Sequence, residues 1–283
     1  MRIAVASGKG GTGKTTVAVN LARAAALEER RVQLLDSDVE EPDCALFLRP
    51  RLVETPYVEV PIPVVDDDAC THCGTCSEVC AYKAIVELPS AVLVFPELCH
   101  ACGACALLCP EKAISEEPRR TGQLEIGEAE GVAMVTGVLD VGEAKAPPVV
   151  KAVRERTDPA ADPVIIDAPP GTSCPVIESV RGADLVLLVT EPTPFGLNDL
   201  QLAVEMVRAL GLPSAVVVNR CDVGDREVYE YCDAEGIEVV MEIPDDRALA
   251  EAYARGRAAV DAVPGYRERF TALLHRLEER VPA

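Results

Sequence analysis

Eight cysteines lie between Cys70 and Cys109 in two runs, Cys70, Cys73, Cys76, Cys80 and Cys99, Cys102, Cys105, Cys109, each spaced C-x₂-C-x₂-C-x₃-C. Three thiolates at successive two-residue gaps suit one iron–sulfur cluster, and in this spacing the fourth cysteine of each run ligates the other cluster. The crossing sorts the residues into Cys70, Cys73, Cys76 with Cys109, and Cys99, Cys102, Cys105 with Cys80, each set sufficient for one [4Fe-4S] cluster. Gly74 and Gly103 allow the tight loops, and Pro110 follows the last cysteine where Ala81 follows the first run. The alternative is structural zinc in two Cys₄ sites, although zinc usually takes cysteine pairs separated by longer spacers. His72 and His100 sit inside the loops and, with every ligand position filled by sulfur, are expected at the solvent edge.

A second pattern handles phosphate. Gly8, Lys9, Gly10, Gly11, Thr12, Gly13, Lys14, Thr15 and Thr16 stand between a strand signal and a helix signal, where backbone N–H groups can wrap phosphate oxygens. Gly8, Gly10 and Gly13 also satisfy G-x-G-x-x-G, with Asp36 and Asp38 at a distance suited to a ribose, so a dinucleotide site is the competing reading. Lys14 and Thr15 decide against it. An ammonium and a hydroxyl at those positions serve a triphosphate with Mg²⁺.

The elements that must position these groups follow from the apolar pattern. Arg2 to Ala6 and Val32 to Asp36 read as strands flanking a helix from Thr15 to Glu28. Pro56, Pro61 and Pro63 bracket an extended stretch leading to the cysteines, whose two halves repeat one another through Lys83, Ala84, Ile85 and Lys112, Ala113, Ile114. Strands at 131–139, 164–167, 185–190, 215–219 and 238–243 then alternate with helices at 148–156, 197–210, 226–235, 245–255 and 266–281. The expectation is an α/β fold: a doubly wound, mostly parallel sheet formed by residues 1–58 and 118–283, interrupted by a small α+β insert at 59–117.

Composition narrows the function classes. With 283 residues there is room for about two domains. A net charge of −20, from 47 acidic and 27 basic residues, opposes general binding to nucleic acid or anionic lipid. No apolar run reaches the ~20 residues needed to span a bilayer. The first residues show no export signal, and twelve cysteines without one suit a reducing, cytoplasmic setting. Cys44, Cys221 and Cys232 are expected to be buried small hydrophobes.

At the glycine loop the chain resembles the deviant Walker A ATPases, which include MinD, ParA, the nitrogenase iron protein and the Mrp-type iron–sulfur carriers, here with a bacterial ferredoxin-like insert. The resemblance implies ATP and Mg²⁺ as ligands. It implies that Lys14 binds phosphate in its own subunit, that Lys9 reaches the partner's phosphates across an ATP-bound homodimer, that Thr15 ligates Mg²⁺, and that Thr16 contacts the α-phosphate region. Asp38 matches the switch aspartate that positions the attacking water, Asp167 the Walker B aspartate that holds Mg²⁺ through water, and Asn219, Pro244 and Asp246 the adenine-side loops. Cys174 stands where the nitrogenase iron protein places a bridging-cluster ligand. Three functions are compatible: nucleotide-gated electron transfer to a redox partner, iron–sulfur or metal-cofactor assembly or transport with an assembly partner, and MinD- or ParA-like positioning. Positioning is disfavoured, because Glu268, Glu278 and Glu279 dilute the basic face around the Phe270, Leu273, Leu274, Leu277 stripe, which suits core packing.

Overall fold

Strand β1 (Arg2–Ala6) is buried from Ile3 onward, as a strand covered on both faces must be. The computed structural model describes residues 1–281. From β1 the chain runs through α1 (Lys14–Leu27), β2 (Val32–Asp36), α2 (Cys44–Leu48), β3 (Arg51–Glu54) and β4 (Tyr57–Val65) into the cysteine region. That region contains α3 (Thr75–Val79), β5 (Ile85–Leu88), β6 (Ala91–Val94) and α4 (Ala104–Leu108). A 16-residue strand, β7 (Ile114–Ala129), returns to β8 (Val132–Leu139), followed by α5 (Pro147–Glu155), β9 (Val164–Asp167) and α6 (Cys174–Val180). The chain finishes through β10 (Leu185–Thr190), α7 (Pro194–Ala209), β11 (Ser214–Asn219), α8 (Glu227–Glu235), β12 (Val239–Ile243), α9 (Arg247–Ala254), α10 (Ala259–Ala262) and α11 (Tyr266–Glu278).

The strands order as β12-β11-β10-β1-β9-β2-β8-β7-β3. Every pair from β12 to β8 is parallel, while β7 runs antiparallel to β8, β3 and β4. Alternate residues feed two cores. Ile3, Val5, Leu34, Ile165 and Leu187 pack with α1, α10 and α11, whereas Ala4, Leu35, Ile166 and Leu188 pack with α5, α6, α7 and α8. The α11 stripe of Phe270, Leu273, Leu274 and Leu277 is fully buried in the first core, at 0–2 % exposure, so it serves packing. Among the described residues no helix is long and apolar enough to cross a membrane.

Strands β4 and β7 pair from Tyr57↔Gln123 to Val65↔Ile114 and carry the cysteine region on a two-stranded ribbon continuous with the main sheet. The extended stretch with Pro61 and Pro63 is therefore a strand. Its prolines are tolerated because β4 pairs on one side only, with β7. At the end of the ribbon Cys76, Ile85 and Ile114 form a third, small core. Short helices α2, α6 and α10 were not expected, since four to seven residues show too little of a 3.6-residue period.

Candidate functional site

Functional residues gather where the parallel strands end. The glycine loop follows β1, Asp38 follows β2, Asp167 closes β9, Asn219 closes β11, and Pro244 and Asp246 follow β12. The carboxyl edge of an open parallel sheet is where such folds bind ligands, because loops and helix N-termini converge there. A cleft of about 450 Å³ lies at this edge, lined by Gly10, Gly11, Gly13, Lys14, Thr15, Thr16, Asp38, Asn219, Pro244 and Asp246. Its loop is shaped for close approach. Gly13 holds φ 96°, and a Cβ there would come within 2.6 Å of the Asn219 amide nitrogen, which itself donates to the Thr12 carbonyl at 2.8 Å. Gly10 and Gly11 have nothing facing the position of a missing Cβ, leaving room for an oxyanion against the backbone. Lys14, only 5 % exposed, begins α1, so its ammonium and the helix N-terminus together make the loop cationic.

Beneath the loop, two carboxylates are completely buried. Asp36 and Asp167 lie opposite one another in the β2–β9 register. Burial raises the Asp36 carboxyl well above its usual pKa, with Asp167 adding to the effect. Burial also raises Asp167, against the nearby Thr15 hydroxyl and the charge of Lys14. Cys44 bridges the pair: its N–H donates to Asp36 Oδ2 at 3.1 Å and its thiol to Asp167 Oδ2 at 3.4 Å. Burial first, then Asp36 and Asp167, push that thiol up, which keeps it a proton donor. Asp167 Oδ1 has no hydrogen-bond partner. A buried, unpaired carboxylate oxygen beside a threonine hydroxyl fits a divalent cation bound between protein and phosphate.

Lys9 lies outside its own cleft. Its Nζ is 3.8 Å from Glu191 Oε2, and the side chain remains 35 % exposed. Glu41, Asp43, Arg220 and Tyr253 also line the cleft and carried no sequence signal as site residues. Arg220 adjoins Asn219, the one hint available. Cys44 was expected as an inert hydrophobe; it is buried, and its polar role comes from α2 starting beside Asp36, which no local pattern reveals.

The eight clustered cysteines sort into two cavities. Cys70, Cys73, Cys76 and Cys109 line one, and Cys99, Cys102, Cys105 and Cys80 line the other. Backbone N–H groups face the sulfurs: Ala84 donates to Cys80 at 3.2 Å, Ala113 to Cys109 at 3.3 Å and Ala101 to Cys99 at 3.4 Å. Burial opposes a Cys80 thiolate, but the N–H groups of Ala84, Tyr82, Ile85 and Lys83 outweigh it and lower its pKa. Burial raises Cys76 and Cys105, reinforced by Cys70 and Cys73 in the first case and by Cys99 and Cys102 in the second. Four convergent sulfurs with N–H donors behind them form a donor set that fits a thiolate-ligated cluster. His72 lines the first cavity, and His100 lines the second while stacking on Tyr82 at 3.5 Å. Cys174 is exposed at the start of α6, Cys232 is buried, and Cys221 is partly buried.

Comparison with known proteins identifies the nucleotide-binding part of the chain. The family described as the CobQ/CobB/MinD/ParA nucleotide binding domain matches residues 3–260. An uncharacterized protein of Methanocaldococcus jannaschii is 34 % identical over 78 % of each chain. An iron-sulfur cluster carrier protein of Pyrococcus horikoshii is 25 % identical over 98 % of this chain and 87 % of its own. Among solved structures, the septum site-determining protein MinD of Pyrococcus horikoshii, complexed with Mg-ADP, superposes with a TM-score of 0.64 at 20 % identity, covering 99 % of this chain and 96 % of that one. That likeness is one of fold.

Asp38 offers a test of the site's electrostatics. Burial pushes its carboxyl from 3.8 up to about 6, Lys14 opposing and Asp167 adding. The folded state thus holds the proton more tightly than the unfolded chain, and the penalty for ionising Asp38 grows as pH rises from 3.8 through about 6. Nucleotide-free Asp38→Asn should therefore melt higher than wild type at about pH 8, the gain vanishing toward about pH 4. A melting difference that is constant across this range would show that Asp38 carries no such penalty.

Proposed function

The chain belongs to the CobQ/CobB/MinD/ParA nucleotide-binding family, and from that premise we propose that it is an ATPase whose nucleotide-dependent movements act on two [4Fe-4S] clusters, gating electron transfer to a partner protein. Supporting this is the sorting of eight cysteines into two complete four-sulfur sets on a chain that also carries a full phosphate cleft. Phosphoryl transfer of this kind asks the protein mainly to position and neutralise. Backbone N–H groups of Gly10 to Gly13 and the Lys14 ammonium receive the phosphates, and Thr15 with Asp167 holds Mg²⁺. Asp38 orients the attacking water, and Thr16, Asn219, Pro244 and Asp246 bound the rest of the nucleotide. Residues 59–117 are taken as the cluster-bearing insert, with Cys70, Cys73, Cys76 and Cys109 holding one cluster and Cys99, Cys102, Cys105 and Cys80 the other. When bound, such clusters supply one-electron redox chemistry.

Lys9 gives the proposal its second subunit. Held at its own Glu191 and away from its own cleft, it is free to serve phosphates on a facing copy, so ATP draws two chains together.

The carrier reading is favoured by the names of relatives such as the iron-sulfur cluster carrier protein of Pyrococcus horikoshii. Against it, a cluster in transit needs a ligand set that lets go, and each set here is closed by four cysteines with N–H groups behind Cys80, Cys99 and Cys109.

Anaerobically purified protein is expected to be brown, with about eight iron and eight sulfide per chain. Colourless protein carrying tightly bound zinc would overturn the cluster assignment. In sedimentation, ATP with Mg²⁺ should convert wild type to a dimer and leave Lys9→Ala monomeric. Identical ATP-induced dimers of both would show that Lys9 does not cross the interface.

A further inference from the structure

The two cysteine sets are not attached to the ATPase body in the same way. Among the described residues, every hydrogen bond of the Cys70 loop closes within its own unit: the Asp66 N–H donates to Ala113, Cys70 to Asp66, and Ser77 and Glu78 to Gly74. The Cys99 loop is gripped from outside. Lys145, in the connection between β8 and α5, directs its Nζ at three carbonyls of that loop, those of Glu97 and Cys99 at 2.7 Å and Pro96 at 3.3 Å. An ammonium has three donors, and here all three are spent on one turn of backbone. In a chain with a net charge of −20, a lysine that bonds carbonyls and no carboxylate is doing positioning work that ion pairing does not explain.

The connection bearing Lys145 is itself fixed. Its own N–H donates to Glu143 Oε1 at 3.1 Å, Glu143 is buried against Arg119 of β7 at 2.6 Å, and the Asp140 N–H donates to Thr121 at 3.0 Å. At the other end it is tied to the nucleotide site. The Leu139 N–H, last in β8, donates to the carbonyl of Val39 at 2.9 Å, and Val39 follows Asp38 directly. Gly137 leaves no space beside Val39, since a Cβ there would lie 2.6 Å from Val39 Cγ1. The route from Asp38 to the Cys99 loop is thus one peptide bond, one backbone hydrogen bond, a braced six-residue connection and one ammonium. The Cys70 loop shares the β4–β7 ribbon with the sheet, but among the described residues no side chain from the ATPase body bonds it.

Resting on the cluster assignment proposed above, we infer that Lys145 is a positioning clamp that passes the nucleotide state of the Asp38 segment to the Cys99 loop, making the Cys99, Cys102, Cys105, Cys80 set the nucleotide-responsive one. A two-state segment biased by the terminal phosphate is the element such coupling needs.

Amide hydrogen exchange on the anaerobic holoprotein, with and without ATP and Mg²⁺, tests this. In wild type, amides of residues 97–103 should change their exchange rate on ATP binding by about threefold or more, and those of residues 70–76 should not. Lys145→Ala should speed exchange at 97–103 about tenfold, in keeping with loss of a charge-assisted bond, and erase the ATP response. Lys145→Arg should retain the response. Lys151→Ala removes a lysine from the same groove that pairs with Glu155 instead, and it should behave as wild type. Equal responses at both loops, no response in wild type, or a full response in Lys145→Ala would each overturn the clamp. Iron content and ATP hydrolysis on the same samples separate the levels: a wild type with iron and hydrolysis intact but no response refutes the clamp alone, whereas one without iron refutes the cluster reading beneath it.

Discussion

Two carboxylates with no access to water, Asp36 and Asp167, set the terms for the rest of the molecule. Buried carboxylates are costly unless cationic groups or hydrogen bonds compensate them. Here the compensation is partial: Lys14 stands nearby, the Cys44 N–H and thiol satisfy one oxygen of each acid, and Asp167 Oδ1 is left unpaired. Such a site suits a cation and a polyanion together, which is what a magnesium–nucleotide pair supplies. The parallel sheet is what makes the arrangement possible, because β2 and β9 end in register and their terminal acids meet.

The same sheet governs how far a change at the nucleotide can travel. The segment from Asp38 through α2 leads into β3 and β4, and β4 forms with β7 the ribbon that carries the cysteine region. Because β7 also pairs with β8, and β8 with β2, the ribbon and the strand that ends at Asp36 belong to one hydrogen-bonded ladder. Covalent path and ladder both connect the cleft and the cysteine region, with no flexible linker between them among the described residues. In the proposed function this rigidity is the useful property, since a few tenths of an ångström at a switch segment are lost in a floppy tether and kept in a paired strand.

Much of this was legible in the sequence where chemistry demands particular residues at fixed spacing. The glycine loop with Lys14 and Thr15, and the crossed cysteine sets, are patterns whose geometry is local or nearly so, and the structure brings their members together. The apolar strands Val32–Asp36, Val164–Asp167 and Leu185–Thr190 were readable because strands covered on both faces are uninterrupted apolar runs. The 16-residue β7 was not, because its start, from Ser115 to Arg120, is largely exposed and its charges mask the period. Cys44 and Lys145 were silent for a different reason. Cys44 reaches Asp167 and Lys145 reaches the Cys99 loop across distant stretches of sequence, so those roles exist only once the sheet has folded.

The central claim is that nucleotide and clusters form one device, and the most direct measurement is the reduction potential of each cluster, read by anaerobic titration with paramagnetic resonance, in the absence and presence of ATP with Mg²⁺. The account predicts that ATP shifts one of the two potentials by about 60 mV, a tenfold change in a one-electron equilibrium. Two potentials that stay fixed while the same protein binds and hydrolyses ATP would contradict it.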